Sequence, residues 1–390
     1  MLVGSVCGRL AGMKPRPTNP TLDDWALIRR LLPEGWEVQA KPLGALRRTR
    51  AIPDAATLLR VLLVHLAEGC SLAETCARVA ELGWCRLSVV AVIKRLRGAG
   101  PWLNWMCQGL WAGRGRRLAS LRRRVRAVDS TLVVEGGQTG SQWRIHYALN
   151  LADLRCDHFA VTDQRTGESL AHIPVRPGDL LIGDRGLGTA PGIVSVRRRG
   201  GDVLVRTNLH NLPLFSAQGH RLRFLPRLRR VRVGTVAEWP AYVRAENGEL
   251  FAGRLVAIRR SARAAAAARR RARRKSTRNG LTIQASTLAA AGYVTVWTSV
   301  PRAELSAGAA LELYRLRWQI ELAFKRSKSL LGLGQLPKRN DASSKAWLHG
   351  KLLVALLIER LIVEAEALSP WGYPLKEPAQ SLAGSALDGA

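Results

Sequence analysis

Apolar residues along this chain change their spacing three times, and each change marks a different kind of structure. From 21 to 118 they recur every three or four positions, the spacing of helices buried along one side. "TLDDWALIRRLL" opens on a capping Thr21 and an acidic first turn, and "DAATLLRVLLVHLAEG" starts at Asp54, directly after Pro53. "SLAETCARVAEL" puts Ser71 and Glu74 in capping-box spacing. "SVVAVIKRLRGAG" runs from Ser88 to a glycine stop. Short helices with tight turns, the last carrying Lys94, Arg95 and Arg97, fit a helix-turn-helix and a plain bundle equally well.

Between 119 and 206 the spacing shortens to two. "VRAVDSTLVV" is strand-like, and in "QWRIHYALNLAD" Trp143, Ile145, Tyr147, Leu149 and Leu151 all face one way. "DHFAVTD", "DLLIGDRG" and "DVLVRTN" are further strands; "GESLAHI" holds one or two helical turns and "APGIVSVRRRGG" a helix. That order describes a mixed α/β layer, not a parallel repeat. From 207 to 300 short β runs dominate: "HRLRFL", "RRVRVGTV", "AYVRAE", "ELFAGRLVAIRR" and "YVTVWTSV". The last two are separated by "SARAAAAARRRARRKSTRNG", which has high helix propensity.

From 301 to 366 helical spacing returns. "LYRLRWQIELAFKRSKSLLGL", Leu313 to Leu333, contains no Gly or Pro before Gly332 and reads as one continuous helix up to it. Leu313, Leu316, Ile320, Leu322 and Phe324 make most of its circumference apolar. At roughly 100° per residue, Tyr314, Arg317, Glu321 and Lys328 share about 60° of arc, flanked by Trp318 and Lys325. Residues 1–20 are a loose segment and 367–390 a mobile tail.

Composition sharpens the picture at one point. The apolar fraction is that of a globular chain, and 390 residues leave room for more than one module. The formal charge, however, is +32. Such an excess repels itself unless a polyanion neutralises it, and nucleic acid is the favoured partner. An anionic membrane is the weaker alternative: the run "LLRVLLVHLAEG" is too short to span a bilayer and is interrupted by Arg60 and His65. Arg269, Arg270, Arg271, Arg273, Arg274, Lys275 and Arg278 form the densest charge; a block without interspersed acids favours phosphate contact over a merely solvated helix. Cys7, Cys70, Cys76, Cys85, Cys107 and Cys156 form no C-x-x-C pair. They fit a cytoplasmic protein with core thiols better than a zinc site or a disulfide framework. No signal peptide is legible at the N-terminus.

Two carboxylates stand where carboxylates are costly. Asp129 lies inside a strand pattern and Asp184 at the end of an apolar one. Taken singly, Asp184 is as well explained by a turn, and Glu321, set between cations, by a salt-bridge ladder. Taken together, Asp129, Asp184 and Glu321 are three hard oxygen donors able to converge at one edge of a mixed sheet. They suit Mg²⁺, and two such ions roughly 3.5–4 Å apart serve phosphoryl transfer. The cations of the stripe, Lys325 included, would then hold DNA phosphates nearby.

The spacing Y-x₂-R-x₃-E-x₆-K, here Tyr314, Arg317, Glu321 and Lys328, resembles the signature of bacterial insertion-sequence transposases of the DDE class, insertion sequence family four. "VDST" at Asp129 and "GDRG" at Asp184 resemble that family's first two acidic motifs, and "LLRVLLVHLAEGCSLAETCARVAELG" resembles its N-terminal stretch. The likeness covers most of residues 50–365. It implies an α/β, ribonuclease-H-like mixed-sheet catalytic domain with a β-rich insertion, preceded by an all-α N-terminal domain. The boundaries expected are a DNA-binding helical domain at 21–118, the catalytic domain at 119–206 and 301–366, and the insertion at 207–300. It implies that Asp129, Asp184 and Glu321 hold two Mg²⁺ ions, with Mn²⁺ able to substitute, and that Tyr314, Arg317 and Lys328 grip phosphates at the element's ends. The implied partners are double-stranded DNA, as terminal inverted repeats and target, and a second copy of the chain. Relatives hydrolyse one strand, use the freed 3′-OH to form a hairpin, and move by cut-and-paste. The chain departs from the family in having Leu187, where many relatives carry Tyr, and in its short tail. Trp297 or Tyr293 is a candidate for stacking on a flipped base, against core packing as the alternative. Two other functions stay open: a catalytically inactive DNA-binding relic that represses its element, and a nuclease that hydrolyses without joining.

Overall fold

The computed structural model describes residues 24–111, 117–135, 141–163, 165–207, 211–337 and 340–367. The cap expected at Thr21, the loose segment 1–20 and the tail beyond 367 lie outside them. Five helices come first: α1 (Asp24–Leu31), α2 (Trp36–Gln39), α3 (Ala55–Leu66), α4 (Leu72–Glu81) and α5 (Val89–Trp111). Asp54 caps α3 by accepting the Thr57 N–H at 2.6 Å, and Ser71 and Glu74 form the reciprocal capping box of α4. The expected glycine stop is overrun: α5 continues through Gly98, Gly100 and Pro101 to Trp111. Packing overrides the local breakers, because a Cβ at Gly100 would lie 3.4 Å from that of Ala346 on the C-terminal helix. The missing side chain lets the two backbones approach.

The sheet begins with an antiparallel meander, β1 (Arg124–Glu135), β2 (Ser141–Asn150) and β3 (Arg155–Asp163). A single 3₁₀ turn at Leu170–His172 stands for "GESLAHI" and leads to β4 (Asp179–Gly183), α6 (Ala190–Arg198) and β5 (Asp202–Arg206). β4 lies parallel to β1 and β5 parallel to β4, so the order is β3-β2-β1-β4-β5. This is the ribonuclease-H-like mixed layer, preceded by an all-helical region. Trp143, Ile145, Tyr147, Leu149 and Leu151 are all buried on the face that also holds Leu103 and Met106 of α5. Val128, Leu181 and Val205 pack on the opposite face with Ile193 and Val196 of α6.

The following segment contains α7 (Leu225–Arg229), β6 (Val236–Pro240), β7 (Val243–Arg244), β8 (Leu250–Phe251), β9 (Arg254–Arg259), α8 (Ala262–Arg278), α9 (Ala285–Ala290) and β10 (Tyr293–Thr298). Its strands extend the main sheet, since β10 pairs with β5, β9 with β10 and β6 with β9. Two expected strands are absent here. "HRLRFL" makes only an isolated bridge from Arg221 to Phe215, and Pro226 turns the chain into α7. "RRVRVGTV" makes an isolated bridge from Val233 to Arg259 and enters a strand only at Val236. Proline has no N–H for a ladder and favours the first turn of a helix.

The last part holds α10 (Ala307–Arg315), α11 (Trp318–Leu330), β11 (Gln335–Leu336) and α12 (Asp341–Ala367). The continuous helix expected from Leu313 to Leu331 is therefore broken between Arg315 and Trp318. Leu316 and Arg317 donate their N–H groups three residues back, to Leu313 and Tyr314, and this tighter turn redirects the chain. Each half follows its own support: α10 packs on β5, β6 and β9, and α11 on β1. Leu316, expected in the apolar surround, is 40% exposed at the bend. α12 packs on α3, α5 and β3, and no described helix is long and apolar enough to cross a membrane.

Candidate functional site

β4 runs beside β1 only as far as the register pair Val128 and Gly183. β11 takes up the same edge of β1 at Val134. Between them, among the described residues, that edge of β1 has no strand beside it. Asp129 stands at the start of this gap and Asp184 leaves β4 directly into it. The two aspartates, 55 positions apart in sequence, are thus neighbours because their strands are. A crevice outside the carboxyl ends of parallel strands is the usual ligand site of such sheets.

Each carboxylate is fixed by backbone. Asp129 Oδ1 accepts the Ser130 N–H at 2.8 Å; Asp184 Oδ1 accepts those of Gly186 at 2.8 Å and Leu187 at 3.2 Å. Burial pushes the Asp129 carboxyl up to about 6; the Ser130 N–H opposes this, Asp184 adds to it, Arg317 opposes it and Glu168 adds to it. Leu187, the departure noted beside "GDRG", is buried against Gly183.

Glu321 reaches this pair through an intermediary. Arg317, at the bend before α11, donates from Nη2 to Glu321 Oε1 at 2.6 Å, and its Nη1 lies 3.8 Å from Asp129 Oδ2. The Tyr314 ring lies 5.9 Å from the same guanidinium, and burial raises the Tyr314 hydroxyl above its ordinary value. Among the described residues no three His, Cys, Asp or Glu side chains are grouped as a metal-holding set. The structure therefore brings Asp129 and Asp184 together directly and joins Glu321 to them by way of Arg317. Lys325 and Lys328 extend along α11, exposed and without an ion pair among the described residues.

One further acid belongs to this neighbourhood and carried no signal in the sequence. Glu168, in the loop after β3, accepts from the Ser130 hydroxyl at 2.6 Å and from Arg144 Nη1 at 2.9 Å. A Cβ at Gly186 would lie 3.0 Å from Glu168 Oε2 and 3.2 Å from Asp184 Oδ1. Gly186 is thus the gap that lets the two carboxylates close in. "TGESL" has neither periodicity nor motif, so only its folding against Ser130 reveals Glu168.

The remaining candidates are spread out. Trp297 is fully buried in β10 and its indole N–H donates to the Ala241 carbonyl at 3.0 Å, so it has no face free for a base. Tyr293 is 8% exposed and packs with Leu228 and Val231, which likewise removes it as a stacking platform. Its β run packs inward on both faces, which is the core role weighed above. The Arg-rich segment is helix α8, capped by Ser261 and buried only at Ala265. Arg269 donates to the Leu288 carbonyl at 3.2 Å, while Arg270, Arg271, Arg273, Arg274 and Lys275 are exposed.

Known proteins resemble this chain over most of its length. Residues 120–357 match the family described as "Transposase DDE domain". The InsL protein of insertion sequence element IS186A from Escherichia coli strain K12 is 35% identical over 352 residues, covering 88% of this chain and 95% of that protein. The transposase for insertion sequence element IS421 from Escherichia coli is 34% identical over 353 residues, with the same coverage.

Proposed function

Because the chain belongs to the family of transposases with a DDE domain, we propose that it cuts DNA at the ends of an insertion sequence and joins the freed ends to a target, with Asp129, Asp184 and Glu321 as its catalytic acids. The observation that carries this reading is the adjacency of Asp129 and Asp184 where β1 outruns β4. It is supported by the family membership, by the Y-R-E-K spacing of family four and by the charge of +32.

The donor set fits Mg²⁺. All three groups are carboxylates, and Asp129, held at about 6 by burial beside Asp184, gains from a divalent cation that offsets both charges. Two such ions, when bound, activate the attacking oxygen and stabilise the leaving one. The chain's own residues do the rest. Ser130, Gly186 and Leu187 hold the aspartates in place through their N–H groups. Arg317, Tyr314, Lys325 and Lys328 form a cationic and hydrogen-bonding edge for the phosphates flanking the cut. Phosphate bound by Arg317 competes with its bond to Glu321 and so frees that carboxylate for the metal site. The exposed cations of α8, Arg269 to Lys275, would hold DNA further out. Two DNA ends call for two copies of the chain.

The test is a nicking and joining assay with Mg²⁺ on duplexes bearing the DNA that flanks the gene. Asp129→Ala, Asp184→Ala and Glu321→Ala are each expected to lose at least about a hundredfold in cleavage while binding the same duplex as the unaltered protein does. Binding without any cleavage by the unaltered protein would identify a DNA-binding relic. Cleavage without joined products would identify a hydrolytic nuclease.

A further inference from the structure

Beside the acids lies a concentration of positive charge of which only the α8 part, Arg271 and Lys275, has a role above. Arg185 (next to Asp184), Arg206 (the end of β5), Arg260 (just past β9), and Arg271 and Lys275 of α8 line one cavity of about 320 Å³. Among the described residues the rest of its wall is alanine, threonine and Tyr293, with no carboxylate. Among the described residues none of these five cations forms an ion pair. Arg260 Nε is buried and has no hydrogen-bond partner among the described residues. Burial lowers the Arg260 guanidinium below its ordinary value, and Arg206, Arg271 and Arg185 lower it further.

Arg206 and Arg260 are half-buried and Arg185, Arg271 and Lys275 exposed; cations facing one another across a cavity repel in the free protein, and an anion placed among them reverses the sign. Arginine is the side chain whose planar fork matches a phosphate. Position identifies the source of that phosphate. Arg206 and Arg260 also line the adjoining cavity of about 460 Å³, together with Tyr314 and Arg317. Among the described residues the one acid there, Glu312, is held by Arg315 at 3.0 Å. On the other side the cavity opens along α8, whose exposed arginines continue the charge outward. Beside its cations the cavity's described side chains offer a free nucleotide only threonine and tyrosine hydroxyls, whereas a strand leaving the acids meets cations all the way.

We propose that Arg185, Arg206 and Arg260 form a phosphate subsite that holds a backbone phosphate of the DNA strand adjoining the cut. It rests on the DNA reading above and names where that strand goes. The experiment measures binding of an end-bearing duplex across a range of KCl concentrations, for the unaltered protein, Arg260→Gln and Arg260→Lys. Arg260→Gln is expected to weaken binding and to make the slope of log K against log salt shallower by about 0.9, the loss of one phosphate contact. Arg260→Lys is expected to keep the slope. A neutral methylphosphonate at one position near the cut is expected to weaken the unaltered protein and leave Arg260→Gln unaffected. Without DNA, Arg260→Gln is expected to melt at or above the unaltered protein, because it relieves repulsion.

An unchanged slope together with an unchanged methylphosphonate profile overturns the proposal. So does a lower melting temperature with equal loss for every DNA, which would mark Arg260 as structural. If inorganic phosphate raises the melting temperature of the unaltered protein but not of Arg260→Gln, while DNA binding is unaltered, the subsite takes free phosphate and the strand assignment falls. An unaltered protein that neither binds nor cuts the duplex overturns the transposase reading as well; one that cuts normally while Arg260→Gln behaves identically overturns the subsite alone.

Discussion

Asp129 is held by burial near a charge it cannot easily carry. Its carboxyl sits at about 6 against an ordinary 3.8, with burial the main cause and Asp184 a contributor. In the metal-free protein the folded state therefore binds this proton more tightly than the unfolded chain does. The stability it confers is complete below the unfolded value and is lost as the pH rises through about 6. With metal chelated, the protein is expected to melt at a lower temperature at slightly alkaline pH than near pH ~5, as far as this group decides. Asp129→Asn should flatten that dependence and raise the alkaline melting temperature by a few degrees, which calorimetry reads directly. A pH profile identical in both proteins would remove burial as the cause. Gly186 makes a second residue-scale claim. Gly186→Ala sets a methyl group between Glu168 and Asp184, and the displaced carboxylate should lower the cleavage rate by roughly ten- to a hundredfold with far-ultraviolet circular dichroism unchanged. Full activity in Gly186→Ala would show that the Asp184 turn tolerates the shift.

At the scale of elements, the site exists because strands and helices stop where they do. β4 ends at Gly183, and the helix of the Y-R-E-K residues bends at Arg317, which puts Tyr314 on one segment and Glu321 on the next. The sheet beneath is held in register by buried ion pairs. Arg126, 1% exposed, donates to Asp157 at 2.8 Å across β2, and Arg124 donates to Asp179 at 2.7 Å. Removing one partner leaves the other charged and desolvated. Asp157→Ala is expected to destabilise the protein by about 3–5 kcal/mol, measured as a shift in the urea midpoint; a loss below about 1 kcal/mol would mean that Arg126 finds another partner or water. Much of this level was legible in advance. Ser71 and Glu74, and the alternation from Trp143 to Leu151, are signals contained within a few residues. The overrun of α5 and the bend at Arg317 were not legible, because Gly100 is decided by Ala346 and the bend by two different surfaces of the sheet.

For the whole molecule, the helical region and the sheet share one apolar core. Leu103 and Met106 of α5, Leu149 of β2 and Leu353 of α12 belong to the same cluster, and α12 touches α3, α5 and β3. The sequence suggests a helical module at 21–118 and a catalytic one after it, but this packing couples them. One cooperative unfolding transition is expected by calorimetry. A fragment starting at residue 117 is expected to be insoluble, because it exposes the face that α5 covers. Two resolved transitions would show that the helical region folds independently.

Local signals were enough to establish most of the elements, the family, the excess of charge and the identity of the acids under suspicion. Those properties reside in spacing, capping and motif, and each is settled by residues near one another in the chain. Tertiary structure alone decided which charges meet. It placed Asp184 beside Asp129, set Arg317 between Asp129 and Glu321, brought Glu168 behind Ser130, sank Trp297 into the core, and gathered Arg185, Arg206 and Arg260 around one cavity. The reason is physical: helix and strand preferences act over a few residues, whereas burial and Coulomb interaction depend on distances that exist only once the chain has closed on itself.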